Sequence, residues 1–245
     1  MRASNVGRNR LNCRSMQDRG KHIRSNFDSA LNSLKNDALM MSSLTERLLE
    51  NAIEGLLKRD SDLCNLTIAD DEEVDVLEKQ IDKEGIETMI RFQPVACDMR
   101  EVISTMKLSA NLERIADQSV VIARRAKKLN RRPSVQEVFL VEPLYRVALG
   151  IFRDSLRAFI DGDVELALQL KPRDRHLDGL NLQLSDKLTE RMVLDPGQVP
   201  SYLDIIFIAR ALERIGDHAT NIAEDAFWQA QAEDIRHTFG AVKEE

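Results

Sequence analysis

Eight carboxylates, four in each half of this 245-residue chain, have the types and spacing to do chemistry. Glu113 and Asp117 stand four residues apart, as do Glu213 and Asp217. Four residues along an α-helix advance about 40° past a full turn and about 6 Å along the axis, so each pair shares one face. Upstream, Asp71, Asp75, Glu78 and Asp82 form an acidic stripe at spacings of four, three and four, and Asp174 and Asp178 begin a second stripe. Like charges at such spacings repel, so the stripes need cations, arginines or solvent to offset them.

Hairpin geometry brings the stripes together. Folding the chain back about Pro94 sets Asp71 level with Asp117 and Asp75 level with Glu113. Folding it about Asp195-Pro196 sets Asp174 level with Asp217 and Asp178 level with Glu213. Four converging carboxylates cannot all stay ionised without a cation. Oxygen-only donors suit hard ions such as iron, manganese or magnesium, and also admit zinc or calcium. The plainer alternative is that each acid is solvated or paired with Arg114, Arg214 or a nearby lysine. Level matching in both halves favours metal binding.

The halves are unequal. Asn181 and Ser185 stand where the first half has Glu78 and Asp82, Pro172 is expected to kink its helix, and Glu224 lies on the Glu213 face where the first half has Arg124. His218 is rotated about 100° from Asp217 and is expected to be a surface or interface residue, not a companion ligand. No ExxH, HExxH, GxxxxGK[ST] or GxSxG occurs, so no catalytic nucleophile or base is visible. Arg124, Arg125, Lys127, Lys128, Arg131 and Arg132 read as a solvated helix terminus, with docking to an acidic partner or anionic lipid as the alternative. Phe227 and Trp228 read as packing residues.

These residues must be held by helices. Asp plus Glu outnumber Lys plus Arg by 41 to 35, a formal charge of −6 that suits a dedicated nucleic-acid binder poorly. Hydrophobic residues at 43% are enough for a core, and only 10 glycines and 6 prolines argue against a turn-rich β fold. Cys13, Cys64 and Cys97 make an odd set without CxxC spacing, which excludes a disulfide framework and fits a reducing cytosol. No segment reads as a membrane span.

Leu31, Leu34, Ala38, Met41, Thr45, Leu48 and Ala52 step by threes and fours, the seam of a long amphipathic helix. A second helix is expected from a Ser61 N-cap to just before Pro94, and a third from about Cys97 to Leu129. Three more are expected near 138–160, 164–193 and 199–231. Helices of about 30 residues, or about 45 Å, joined by short turns are what antiparallel bundles require. Leu112-Glu-Arg-Ile-Ala-Asp117 recurs as Leu212-Glu-Arg-Ile-Gly-Asp217, with Ile122-Ala123 and Ala126 echoed by Ile222-Ala223 and Ala226. The fold class is therefore all-α, with two tandem three-helix bundles related by an internal duplication.

The expected organisation is a basic, unstructured tail over 1–24 with Met1 or Met16 as initiator, a first bundle over 25–130 and a linker over 131–137. A second bundle follows over 138–232, then a C-terminal tail over 233–245.

The Asn111–Asp117 segment, its copy Leu212–His218 with Asn221-Ile-Ala-Glu224, and Gln93-Pro94 followed by Asp98-Met-Arg100 resemble the PhoU family, bacterial regulators of phosphate transport. The likeness runs from about Phe27 to Trp228, with Ala116 where a glycine is usual. The resemblance implies an E(D)xxxD motif in each half holding a multinuclear iron or zinc cluster, with manganese or magnesium as alternatives. On this chain the motif falls on Glu113, Asp117, Glu213 and Asp217, faced by Asp71, Asp75, Asp174 and Asp178. It also implies a cytoplasmic homodimer that contacts the ATPase component of a phosphate ABC transporter and a sensor histidine kinase, and reaches the membrane only through them. The function so implied is negative regulation of the phosphate-starvation response, without catalysis. A carboxylate-bridged metal oxidase or hydrolase and a metal-free helical adaptor are the competing readings.

Overall fold

The computed structural model describes the backbone of residues 6–235 and the side chains of residues 24–235. Six α-helices carry nearly all of it: α1 (Val6–Leu57), α2 (Ser61–Phe92), α3 (Cys97–Asn130), α4 (Glu142–Asp161), α5 (Val164–Leu194) and α6 (Val199–Gln231). Short 3-10 turns at Gln136–Val141 and Pro196–Gln198 introduce α4 and α6. Among the described residues there is no strand, and no helix is long and apolar enough to cross a membrane.

The seam expected on the first helix is the buried line of α1, where Leu31, Leu34, Ala38, Met41, Thr45, Leu48 and Ala52 are all enclosed. α1 begins at Val6 and so takes in most of the segment expected to be an unstructured tail; no proline interrupts the chain before Leu57. The side chains of 1–23 and all of 236–245, including most of the expected C-terminal tail, lie outside the described residues.

Local chemistry sets the helix ends. Asp60, not Ser61, caps α2: its Oδ1 accepts from the amides of Asp62 and Leu63 at 2.8 and 3.1 Å. A carboxylate also suits the positive end of the helix dipole. Between α4 and α5, Gly162 takes φ +66°, and Asp163 then caps α5 by accepting from the amide of Leu166 at 2.9 Å. The expected linker is shortened at its far end, because the 3-10 turn from Gln136 already packs Val138 and Val141 into the core. α5 is continuous through Pro172.

Helices α1, α2 and α3 pack on one another, as do α4, α5 and α6, and α3 lies along α6 to join the halves. Partners along that seam run in opposite order: Arg100 Nε donates to Gln229 O, Lys107 meets Asp225, His218 meets Asn111, and Arg125 meets Asp204. The seam is therefore antiparallel. Each end is closed by one cation of α3 held between an α6 carboxylate and an aromatic ring one turn on. Lys107 Nζ lies 2.8 Å from Asp225 Oδ1 and 4.7 Å from the Trp228 centroid. Arg125 Nη1 lies 2.8 Å from Asp204 Oδ1, and its Cζ sits 4.2 Å from the Phe207 centroid. Arg132 Nη1 adds a second bond to Asp204, at Oδ2, 2.7 Å away. Two members of the expected solvated basic cluster, Arg125 and Arg132, thus join the halves; the sequence gives no cue, because Asp204 lies 79 and 72 residues away.

Candidate functional site

In the first half, α2 presents Asp71, Asp75 and Glu78 toward Glu113 and Asp117 of α3. Their mutual electrostatics carry the mark of that approach. Burial, then the charges of Asp117 and Asp75, raise Asp71 from the ordinary 3.8 to about 6. Glu113 is pushed up by burial and then by Asp117, with Glu78 and Asp75 adding to it. Glu78 is raised by burial and then by Asp82 and Asp75.

The second half repeats the arrangement more tightly. Asp174 is buried at 7% exposure, and burial followed by the charges of Asp217 and Asp178 raises it to about 7. Glu213 rises through burial and then Asp178 and Asp217; Asp217 rises through partial desolvation and then Asp178. In both halves the facing pairs set level by the hairpins feel one another.

Arginine and lysine answer part of this charge. Arg114 Nε approaches Glu113 Oε2 to 3.2 Å without hydrogen-bond geometry, and Lys79 Nζ reaches Asp75 at 3.9 Å. Both cations are well exposed, and such surface pairs are worth roughly 0–1 kcal/mol. Among the described residues, no ion pair reaches Asp71, Asp174, Asp178 or Asp217. Asp174 Oδ1 and Glu113 Oε2 are buried acceptors without a hydrogen-bond donor. Such orphans cost about 1–3 kcal/mol each.

These residues supply hard oxygen donors, which fit a hard cation in type, and the orphaned Asp174 oxygen is where one would find a ready ligand. The side chains are not drawn into a closed shell: among the described residues, no three His, Cys, Asp or Glu side chains are placed to hold one metal ion. Facing carboxylates repel one another, and the nearby cations offset only part of that repulsion.

The two sites differ through exchanges at equivalent positions. Asn181 stands in the place of Glu78, and its Nδ2 donates to Glu213 Oε2 at 2.8 Å, so an amide satisfies the carboxylate that meets a third acid in the first half. Arg124 of α3 offsets Asp71, whereas at the equivalent position α6 carries Glu224, paired at 3.2 Å with Lys171 of α5. Lys171 in turn offsets Asp174 and Asp217. Each half therefore keeps one cation near its deepest acid, supplied from opposite helices. Lys171 was missed in the sequence although it lies one turn before Asp174. His218, expected at a surface or interface, is half-buried in the seam with its Nδ1 3.3 Å from Asn111 Oδ1; burial, then Arg114 and Arg214, lower its pKa.

Packing behind the acids explains Ala116 against Gly216. A Cβ on Gly216 would meet Leu177 Cδ2 at 2.5 Å and Asp174 Oδ1 at 3.0 Å. At the equivalent places the first half carries Ala116 and Val74, both fully buried. The methyl gained on one helix is lost from the other. Gly216→Ala should therefore destabilise the protein: overpacking costs about 1–3 kcal/mol, and the helix propensity of alanine returns about 1. A net loss near 1 kcal/mol would lower Tm by about 2–4 °C, and Leu177→Val in the same chain should recover most of it. Thermal unfolding of the two variants measures this; no recovery would break the packing account.

A model of the PhoU domain matches residues 38–126 and again 141–226, one match to each half. The chain is 33% identical to the phosphate-specific transport system accessory protein PhoU homolog of Pseudomonas putida over 217 residues, 88% of this chain and 85% of that one. It is 32% identical to the phosphate-specific transport system accessory protein PhoU of Escherichia coli strain K12, over 90% and 91% of the two chains. The crystal structure of PhoU from Pseudomonas aeruginosa superposes with a TM-score of 0.82 at 32% identity, covering 84% of this chain and all of the other. A further crystal structure, from Streptococcus pneumoniae, shares the fold with a TM-score of 0.78 at 23% identity.

Proposed function

This chain belongs to the PhoU family, and from that premise we propose that it regulates phosphate uptake and restrains the phosphate-starvation response by protein contact, without catalysing a reaction. Its partners are the ATPase component of a phosphate ABC transporter and a sensor histidine kinase, and it works in the cytoplasm as a homodimer. The relatives named as phosphate-specific transport accessory proteins support this reading.

The observation that carries the metal part of the proposal is the duplicated set of facing carboxylates with the buried, donor-less Asp174 Oδ1 among them. Asp71, Asp75, Glu113 and Asp117 would hold a hard cation or cluster in the first half, and Asp174, Asp178, Glu213 and Asp217 would do so in the second. Iron or zinc are the proposed metals, with manganese or magnesium as alternatives. The metal would supply the positive charge that the protein's own side chains leave short, relieving repulsion between α2 and α3 and between α5 and α6. The protein side of the device is its helix pairs, which set the distance between the acid faces and hence the surface offered to partners.

Elemental analysis after gel filtration tests the metal part. Wild-type protein should carry iron or zinc in stoichiometric amount, and Asp117→Asn/Asp217→Asn should lose most of it. Metal-free wild type after reconstitution would sink the metal claim. The regulatory claim is tested separately: deleting the gene should leave phosphate-responsive transcription switched on in phosphate-rich medium, and an unaltered response would overturn it.

A further inference from the structure

Along one face of α3 and onto its C-cap residue, Arg124, Lys127, Lys128 and Arg131 follow at spacings of three, one and three, so the row runs along a single edge for about 10 Å at 1.5 Å per residue. With Ile68 of α2 and Val121 of α3 they line a groove of about 460 Å³. Among the described residues, none of these four cations has a carboxylate within ion-pair distance.

Beyond the part Arg124 plays beside Asp71, the fold does not need these charges. A cationic end usually offsets the helix dipole, which amounts to about half a unit charge. Here Arg59 already does this: its Nη2 donates to Asn130 O at 2.9 Å and Arg132 O at 2.6 Å, and also reaches Leu129 O. The duplicate provides a second comparison. The equivalent positions on α6 are Glu224, Phe227, Trp228 and Gln231; Glu224 and Phe227 are buried, and Trp228 closes the seam against Lys107. The same scaffold therefore stands without cations there, and the copy that has them leaves them unpaired in a chain whose formal charge is −6.

We propose that this groove is a docking site for an acidic amphipathic helix of a protein partner, with carboxylates about one turn apart meeting the cation row and an apolar side chain seated over Ile68 and Val121. The apolar floor separates this occupant from a free anion, which would gain nothing by covering it. The concave shape separates it from a flat lipid surface. Helix-in-groove recognition uses side chains repeating at three and four residues, the repeat this row presents. Charge complementarity of this kind speeds encounter and excludes wrong partners. The inference rests on the regulatory reading above and adds the surface through which it would act.

The test uses full-length protein and a Lys128→Glu/Arg131→Glu variant. Both positions are exposed, Arg124 is left intact to keep the charge balance at Asp71, and far-ultraviolet circular dichroism checks the fold. The probes are the purified ATPase component of the phosphate transporter, the cytoplasmic part of the sensor kinase, vesicles of phosphatidylglycerol and phosphatidylcholine, and inorganic phosphate. At least one protein partner should bind wild type with salt-dependent affinity and bind the variant at least tenfold more weakly. The proposal is overturned if every partner that binds does so equally well with the variant, or if the variant loses only vesicle or phosphate binding. Equal binding would spare the regulatory reading and remove only this surface. If neither protein partner binds wild type, both fall.

Discussion

Replacing Asp204 with alanine lowers the stability of this protein by about 2–3 kcal/mol and its Tm by roughly 5–10 °C. Asp204 is 4% exposed, and both of its oxygens are taken, by Arg125 at 2.8 Å and Arg132 at 2.7 Å. Removing one member of a buried ion pair costs about 3–5 kcal/mol when the charge left behind stays buried. Here both guanidinium groups are about one-third exposed and can turn to water, which places the loss at or just below the bottom of that range. Arg125 also keeps its place on the Phe207 ring. Asp204→Asn, which retains one acceptor, should cost about half as much. The damage should be local as well as global, with faster amide exchange at the end of α3 and the start of α6 than at the Lys107–Asp225 end of the seam. A Tm within 1–2 °C of wild type would show that the aspartate contributes nothing net.

Asp174→Asn acts in the opposite direction in metal-free protein. Folded Asp174 keeps its proton to about pH 7, whereas the unfolded chain releases it near 3.8. Between those values the folded state binds more protons, so stability is fully present at low pH and is lost as pH rises through 7. Each unit of raised pKa corresponds to about 1.4 kcal/mol, which puts the strain relieved by the amide at up to about 4 kcal/mol at pH 8. An amide among these acids has a local precedent, because Asn181 already donates to Glu213. After chelation, the variant should be more stable than wild type at pH 8 and about equal to it at pH 4, with a flatter curve between. Asp71, raised to about 6, gives wild type a second, earlier decline. Urea unfolding across pH 4–9 measures both. A wild-type curve that rises steadily from pH 4 to 8 would refute the reading.

The periodic parts of the molecule were legible in the sequence. The buried line of α1, the ends of α2 and α3, the doubled LERIxD segments and the levels at which the acids meet all follow from rise per residue and from where prolines end helices. These are local rules, and Asp71 against Asp117 needs only one hairpin. What the sequence did not disclose depends on contacts between distant turns. Arg125 and Arg132 looked like ordinary helix-end cations until the seam placed Asp204 beside them. Ser61 looked like the cap of α2, although the preceding Asp60 is the residue that accepts from the first amides, those of Asp62 and Leu63. Lys171 carried a weak signal, one turn from Asp174, but its tie to Glu224 spans 53 residues.

The exchange of Gly216 and Leu177 for Ala116 and Val74 bears on how the two copies drifted apart. Each pair carries four side-chain carbons, so the total stayed constant while its division between helices changed. A single step from either state passes through a bundle one carbon too full or one too empty. The overfull intermediate must push Leu177 and the Asp174 carboxylate out of place, whereas the underfilled one leaves only a methyl-sized void. Divergence by way of the smaller pair is thus the gentler route. The same reasoning restricts engineering. Grafting α3 in place of α6, or the reverse, would mismatch the pair unless the facing helix travels with it, so the interchangeable unit here is a helix hairpin.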